Sequence, residues 1–140
     1  MSDDPKALVK HFYAEVSAGN LDVIDDVLTE DFVEHEDFPG IEPNRAGVKQ
    51  FFSLFRSSFP DLRLDPHEMV AEEDLISIRC TMSGTHEGEF MGLPPTHKRF
   101  EVEGIDMVRF RDGAFSEHWG VFDTLAMMQQ LGAIPEPASA

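Results

Sequence analysis

Apolar positions recur at two spacings along the chain, and the switch between them divides it into a helical part and a strand-rich part. Leu8, Val9, Phe12, Tyr13 and Val16 share one face at helical spacing. They follow Asp3-Asp4-Pro5, a helix start in which a side-chain acceptor precedes proline, and Gly19-Asn20 ends the run. A second, shorter helix is predicted over residues 21–28, with Leu21, Ile24 and Leu28 as its apolar edge. Residues 31–36, DFVEHE, read as a short strand, and Pro39-Gly40 and Pro43 mark a loop. A third helix over residues 45–57 carries Val48, Phe51, Phe52 and Phe55 on one stripe until Phe59-Pro60-Asp61 stops it.

From Leu62 the period becomes two. Residues 62–71 predict a strand interrupted near Pro66, and Glu72-Glu73-Asp74 a polar turn. Over residues 75–86, Ile76, Ile78, Cys80, Met82 and His86 line one face of a long strand, with Leu75, Ser77, Arg79, Thr81 and Ser83 opposite. Residues 88–96, GEFMGLPPT, read as loop. Residues 100–132 then predict two long strands joined at Arg111-Asp112-Gly113-Ala114 and running into a last helix, because Asp-Gly is a strong hairpin signal. On the first strand Val102, Gly104, Asp106, Val108 and Phe110 share a face. On the second, strict alternation groups Phe115, Glu117, Trp119, Val121 and Asp123, with His118 and Phe122 on the other side. Helices followed by antiparallel strands give an α+β class: a curved sheet with three helices from the first half and a short C-terminal one, enclosing a pocket. Residues 1–134 form a single domain on this reading, and 135–140 a flexible tail.

Composition narrows the partners. Among 140 residues, 27 acidic against 11 basic give a net charge of −16, which disfavours nucleic acid and anionic membranes alike. No apolar run has the length of a membrane span, the start MSDDPK lacks the features of a signal peptide, and Cys80 is the only cysteine. A cytoplasmic location is the expectation.

Chemistry is carried by a few polar residues among apolar ones. Asp123, beside Trp119 and Phe122, suits an acid raised in pKa by apolar walls; its bland alternative is a cap for the helix beginning at Thr124. Asp106 lies mid-strand among Val and Phe residues, as a site acid or as the ion-pair partner of Arg79 or Arg109. Alternation points His118 away from Asp123, so it is either a donor to ligand across a bulge or a structural histidine. His35 and His86 each read as pocket residues or as hydrogen-bonded core histidines. Twelve Phe and seven Met suit a roomy apolar cavity, with Phe52, Phe55 and Met91 among its walls, though such stripes are more often core or interface. No HExxH, HxH, GxSxG or phosphate-cradling loop occurs, so no metal is expected, and Cys80 between Ile78 and Met82 reads as inert packing.

Three stretches, SGTHEGEFMGLPPT, GIDMVRFRDG and EHWGVFDTLAMMQQLG, together with DFVEH and FPDL, resemble the SnoaL-like polyketide cyclase family of the NTF2-like superfamily over nearly the whole chain. The resemblance implies a cone-shaped α+β fold and a cofactor-free enzyme that closes a ring by intramolecular aldol chemistry on a small hydrophobic carbonyl ligand. It maps the main acid/base group to Asp123 and places His35 and His86 at the pocket as further catalytic candidates. The residue reading adds Asp106, His118, Trp119, Phe122, Phe52, Phe55 and Met91 at the ligand. After PPT the family often has Gly and a basic residue, whereas this chain has His97-Lys98-Arg99. Self-association as a homodimer or tetramer through the outer sheet face is a further expectation. Alternatives at this point are an isomerase, an epoxide hydrolase using Asp106, Arg79 and Asp123, or a non-catalytic module for an apolar ligand.

Overall fold

The computed structural model describes residues 4–135. Its elements run α1 (Pro5–Ala18), α2 (Val23–Val27), β1 (Leu28–Glu34), α3 (Arg45–Ser58), β2 (Arg63–Glu72), β3 (Leu75–Thr85), β4 (Arg99–Arg111), β5 (Ala114–Phe122) and α4 (Thr124–Gln130). Among the described residues the strands form one curved sheet in the order β1-β5-β4-β3-β2. All neighbouring pairs are antiparallel except β1 with β5, which is parallel. No helix among the described residues is long and apolar enough to cross a membrane. Except for Pro135, the tail expected over 135–140 lies outside the described residues.

Local signals account for most boundaries. The Asp4 side chain accepts from the Lys6 amide with Pro5 in the first turn, and Gly19 closes α1 at φ 89°. The Arg56 guanidinium on α3 donates to the carbonyls of Val16 and Ser17, satisfying the end of α1 and tying two helices together. α2 is shorter than its periodicity predicts, because Leu28 turns extended (ψ 141°) and opens β1 instead. Asp112 and Gly113 both take positive φ, as a tight two-residue hairpin requires, and Arg111 pairs with Ala114. The core under the sheet is led by Val9, Val16, Ile24, Phe59, Ile78 and Phe100, all almost fully buried.

One irregularity decides what faces the pocket. Arg109 pairs with Glu117 but Phe110 with Phe115, so Ser116 is an extra residue in β5. The insertion shifts the side-chain phase: Phe115 points inward, and so do His118, Gly120 and Phe122 beyond the bulge. Glu117, Trp119 and Val121 therefore lie on the outer face and Phe115 on the inner, whereas strict alternation groups the four together.

Candidate active site

A cavity of about 380 Å³ opens between the inner sheet face, α1, α3 and α4. Its walls are largely aromatic and aliphatic, and its volume suits a small ligand. Phe51 and Phe55 stack at 4.5 Å, and Phe52 meets Phe12 edge-on at 6.3 Å, so α3 and α1 present a fixed aromatic wall. Met91, on an exposed loop residue with φ 50°, reaches the mouth.

The floor is polar and tightly connected. Asp106 of β4 is buried and sits opposite Gly120 of β5. Its Oδ1 accepts from His118 Nε2 at 2.7 Å, while its Oδ2 accepts from the Tyr13 hydroxyl and from Cys80 Sγ at 3.4 Å. His118 Nδ1 in turn donates to Glu34 Oε2 at 2.5 Å. A chain Glu34–His118–Asp106–Tyr13 thus runs across the sheet, with both imidazole nitrogens engaged by carboxylates. Burial opposes charge on His118, but hydrogen bonds to Asp106 and Glu34 outweigh it and push the pKa up to about 10. Burial, then the Asp106 charge, raise the Tyr13 phenol and the Cys80 thiol well above their usual values. Both stay protonated as donors to Asp106.

Glu36 is a further polar group beside this chain. Phe32, Glu34 and Glu36 share the inward side of β1 and its extension, and Glu36 is half-buried in the cavity wall. Among the described residues no side chain donates to its carboxylate, while its own amide donates to Glu34 Oε2 at 3.1 Å. Burial is the main reason its pKa rises to about 7; the His118 charge opposes the shift and Asp106 and Glu34 add to it. Gly120 makes room for this assembly. A Cβ there would lie 2.6 Å from Asp106 Oδ1, 2.6 Å from Glu36 Oε1 and 2.8 Å from His118 Cε1.

The sequence-derived candidates separate into two groups. Asp106, His118, Phe122, Phe52, Phe55, Met91 and Asp123 line the cavity. Asp123, however, is exposed at its mouth, where its side chain accepts from the Ala126 amide at 3.0 Å and caps α4. The bland alternative for this residue is thus its observed contact. Asp123→Ala is expected to lower stability by about 1 kcal/mol, read as a fall in melting temperature, because an N-cap is lost. His35, Trp119 and His86 do not line the cavity. The β5 bulge turns Trp119 outward, and His35, just past the end of β1, stacks on it at 4.7 Å and bonds Glu117 Oε2 at 2.8 Å. His86 is wholly buried beside Phe59, with Nδ1 accepting from the Thr96 amide at 3.2 Å. Arg79 and Arg109 also face away from Asp106: Arg79 pairs with Glu68 and Glu103, Arg109 with Asp74 and Glu117. The Asp106–Arg79–Asp123 set needed by the epoxide-hydrolase alternative is therefore not assembled.

Sequence reasoning passed over Glu34, Glu36 and Gly120, and treated Tyr13 as core alone. The signal was present: acids at positions 34 and 36 fall on the face of Phe32, whereas His35 falls on the other. Glu34, Glu36 and His118 also bring one ligand atom each within 4.8 Å of one another, a spacing a metal could bridge. The donor set fits poorly, since both nitrogens of His118 already donate to carboxylates and its proton is held tightly.

Three comparisons bear on this geometry. A family model described as SnoaL-like polyketide cyclase matches residues 7–131. A nogalonic acid methyl ester cyclase from Streptomyces nogalater is 25% identical over 122 residues, spanning 83% of this chain and 88% of that protein. Among solved structures, TsrD from Streptomyces laurentii superposes with a TM-score of 0.84 at 30% identity, covering 95% of this chain and 100% of the other. IdmH from Streptomyces antibioticus does so with 0.81 at 33% identity, covering 92% and 99%.

Proposed function

The chain belongs to the SnoaL-like polyketide cyclase family, and from that premise we propose that it closes a ring in a hydrophobic carbonyl compound by acid/base chemistry on the cavity floor. The observation that carries this reading is the charged chain Glu34–His118–Asp106–Tyr13 beneath an otherwise aromatic cavity. Burying a cation between two carboxylates is expensive for a cavity that only holds an apolar ligand, and adds little to such binding. It suits a reaction in which negative charge develops on a ligand oxygen.

An intramolecular aldol addition begins with loss of a proton from the carbon beside a carbonyl, and the resulting enolate carries negative charge. The imidazolium of His118, held charged and in place by its two carboxylate partners, offsets one of their two negative charges, so the floor needs no reorganisation as charge appears on the ligand. Asp106, anchored by Tyr13 and Cys80, fixes the ring's position from below. The walls from Phe12, Phe52, Phe55 and Phe122 exclude water and hold a flat ligand folded, so that the enolate carbon meets its second carbonyl.

Incubation of the purified protein with nogalonic acid methyl ester, the compound named for the Streptomyces nogalater relative, tests the proposal. The expected result is a product of unchanged mass and altered chromatographic and NMR signature, formed faster than without protein. Tight binding of this and related polyketide esters with no such product would instead support a carrier.

A further inference from the structure

We propose that Glu36 is the catalytic residue that takes and returns the proton in the reaction above, an assignment that rests on the cyclase reading for its substrate but not for its geometry. The floor holds five groups with acid or base character, Tyr13, Glu34, Glu36, Asp106 and His118, and four are committed. The Tyr13 hydroxyl donates to Asp106. Asp106 accepts from three donors. His118 donates through both nitrogens. Glu34 accepts from His118 and from the Glu36 amide. Removing or adding a proton at any of these breaks bonds that hold the floor together.

Glu36 differs in each respect. Its carboxylate receives no side-chain hydrogen bond among the described residues, lines the cavity, and stands over Gly120, where the missing side chain leaves it beside Asp106 Oδ1 and His118 Cε1. A carboxyl group in such a place is half-protonated close to neutrality, since burial lifts it to about 7. That value is near the operating point of an efficient acid/base group. The neighbouring imidazolium already carries both its protons, each bonded to a carboxylate, and so cannot serve as the base.

The step balances without any co-reactant. The C–H bond beside the carbonyl breaks and its proton bonds to a Glu36 carboxylate oxygen. The C–H electron pair becomes the enolate double bond while the carbonyl π pair moves onto oxygen. The enolate carbon then bonds to the second carbonyl carbon of the same molecule, and the alkoxide so formed takes the proton back from Glu36. Substrate and product are isomers.

The experiment uses two readouts on the parent protein, Glu36→Gln and Glu36→Asp. The first is deuterium exchange into 2-tetralone in D₂O, followed by proton NMR with the spontaneous rate subtracted; this ketone is bicyclic and apolar but has no second carbonyl to attack. The second is cyclisation of nogalonic acid methyl ester. Glu36→Gln is expected to lower protein-dependent exchange about a hundredfold or more with KM within a few-fold, and Glu36→Asp to recover part of the loss. The parent's rate should rise through a pH near 7, a limb that the Gln variant lacks. Exchange undiminished in Glu36→Gln overturns the assignment. A parent that exchanges 2-tetralone through Glu36 yet cyclises no ester overturns the cyclase reading and supports Glu36; a parent that does neither overturns both.

Discussion

His118→Gln is expected to reduce turnover about a hundredfold and to destabilise the fold by about 3 kcal/mol. Glutamine can still donate one hydrogen bond, but the cation that separates Glu34 from Asp106 disappears, leaving two carboxylates facing each other in the cavity. Breaking a buried pair from one side typically costs about 3–5 kcal/mol. The electrostatic part of catalysis lost with a preorganised charge is of order 10²-fold. The variant should also lose a pH dependence. In the parent the folded-state pKa of His118 stands near 10, above its ordinary 6.5. The folded protein therefore binds more protons than the unfolded chain between those values. The stability this group adds is fully present below 6.5 and is lost as pH rises through 10. Melting temperatures across pH 6 to 10.5 should fall for the parent and stay flatter for His118→Gln over that window.

Gly120→Ala is the second large effect. Nothing in the backbone forbids alanine, since Gly120 is not among the residues with positive φ. The obstacle is space alone: the added methyl would sit 2.6 Å from an oxygen of Asp106, which Tyr13, Cys80 and His118 hold in place, and 2.6 Å from one of Glu36. Glu36 can swing away, whereas Asp106 can move only by lengthening its bond to His118. Turnover is expected to fall by roughly ten- to a hundredfold, with about 1–3 kcal/mol lost to overpacking. The signature separating this from a general folding defect is the His118 titration, followed by ¹⁵N NMR, which should move down from about 10. An alanine variant with unchanged titration and turnover would show that Gly120 is not the clearance on which the floor depends.

The architecture could be read from the chain because its signals are local. Asp4-Pro5 with Gly19 bounds α1, Asp112-Gly113 turns the hairpin, and the alternation of Ile76, Ile78, Cys80 and Met82 sets the inward face of β3. The site was only half legible. Asp106 was placed on the pocket face correctly because β4 alternates without interruption until Arg109. On β5 the phase is reset by Ser116, one extra residue that leaves no mark in composition, so Trp119 was taken for a wall and His118 could be placed at the ligand only by allowing for a bulge. Asp123 drew attention through its apolar neighbours; it lines the cavity, and its Oδ1 accepts from the Ala126 amide at the start of α4. The Glu34–His118 and Tyr13–Asp106 contacts join residues 84 and 93 positions apart, and no periodicity encodes such pairings.

On the proposed mechanism the acid/base centre is on the cavity floor, and the acid at the head of α4 caps that helix. The most direct test compares kcat for cyclisation of nogalonic acid methyl ester by the parent, His118→Gln and Asp123→Asn in one assay. Asparagine caps a helix about as well as aspartate, so the last substitution removes charge while keeping α4 intact. Turnover falling about a hundredfold in His118→Gln and only a few-fold in Asp123→Asn is the predicted result; collapse in Asp123→Asn with His118→Gln near the parent would contradict it.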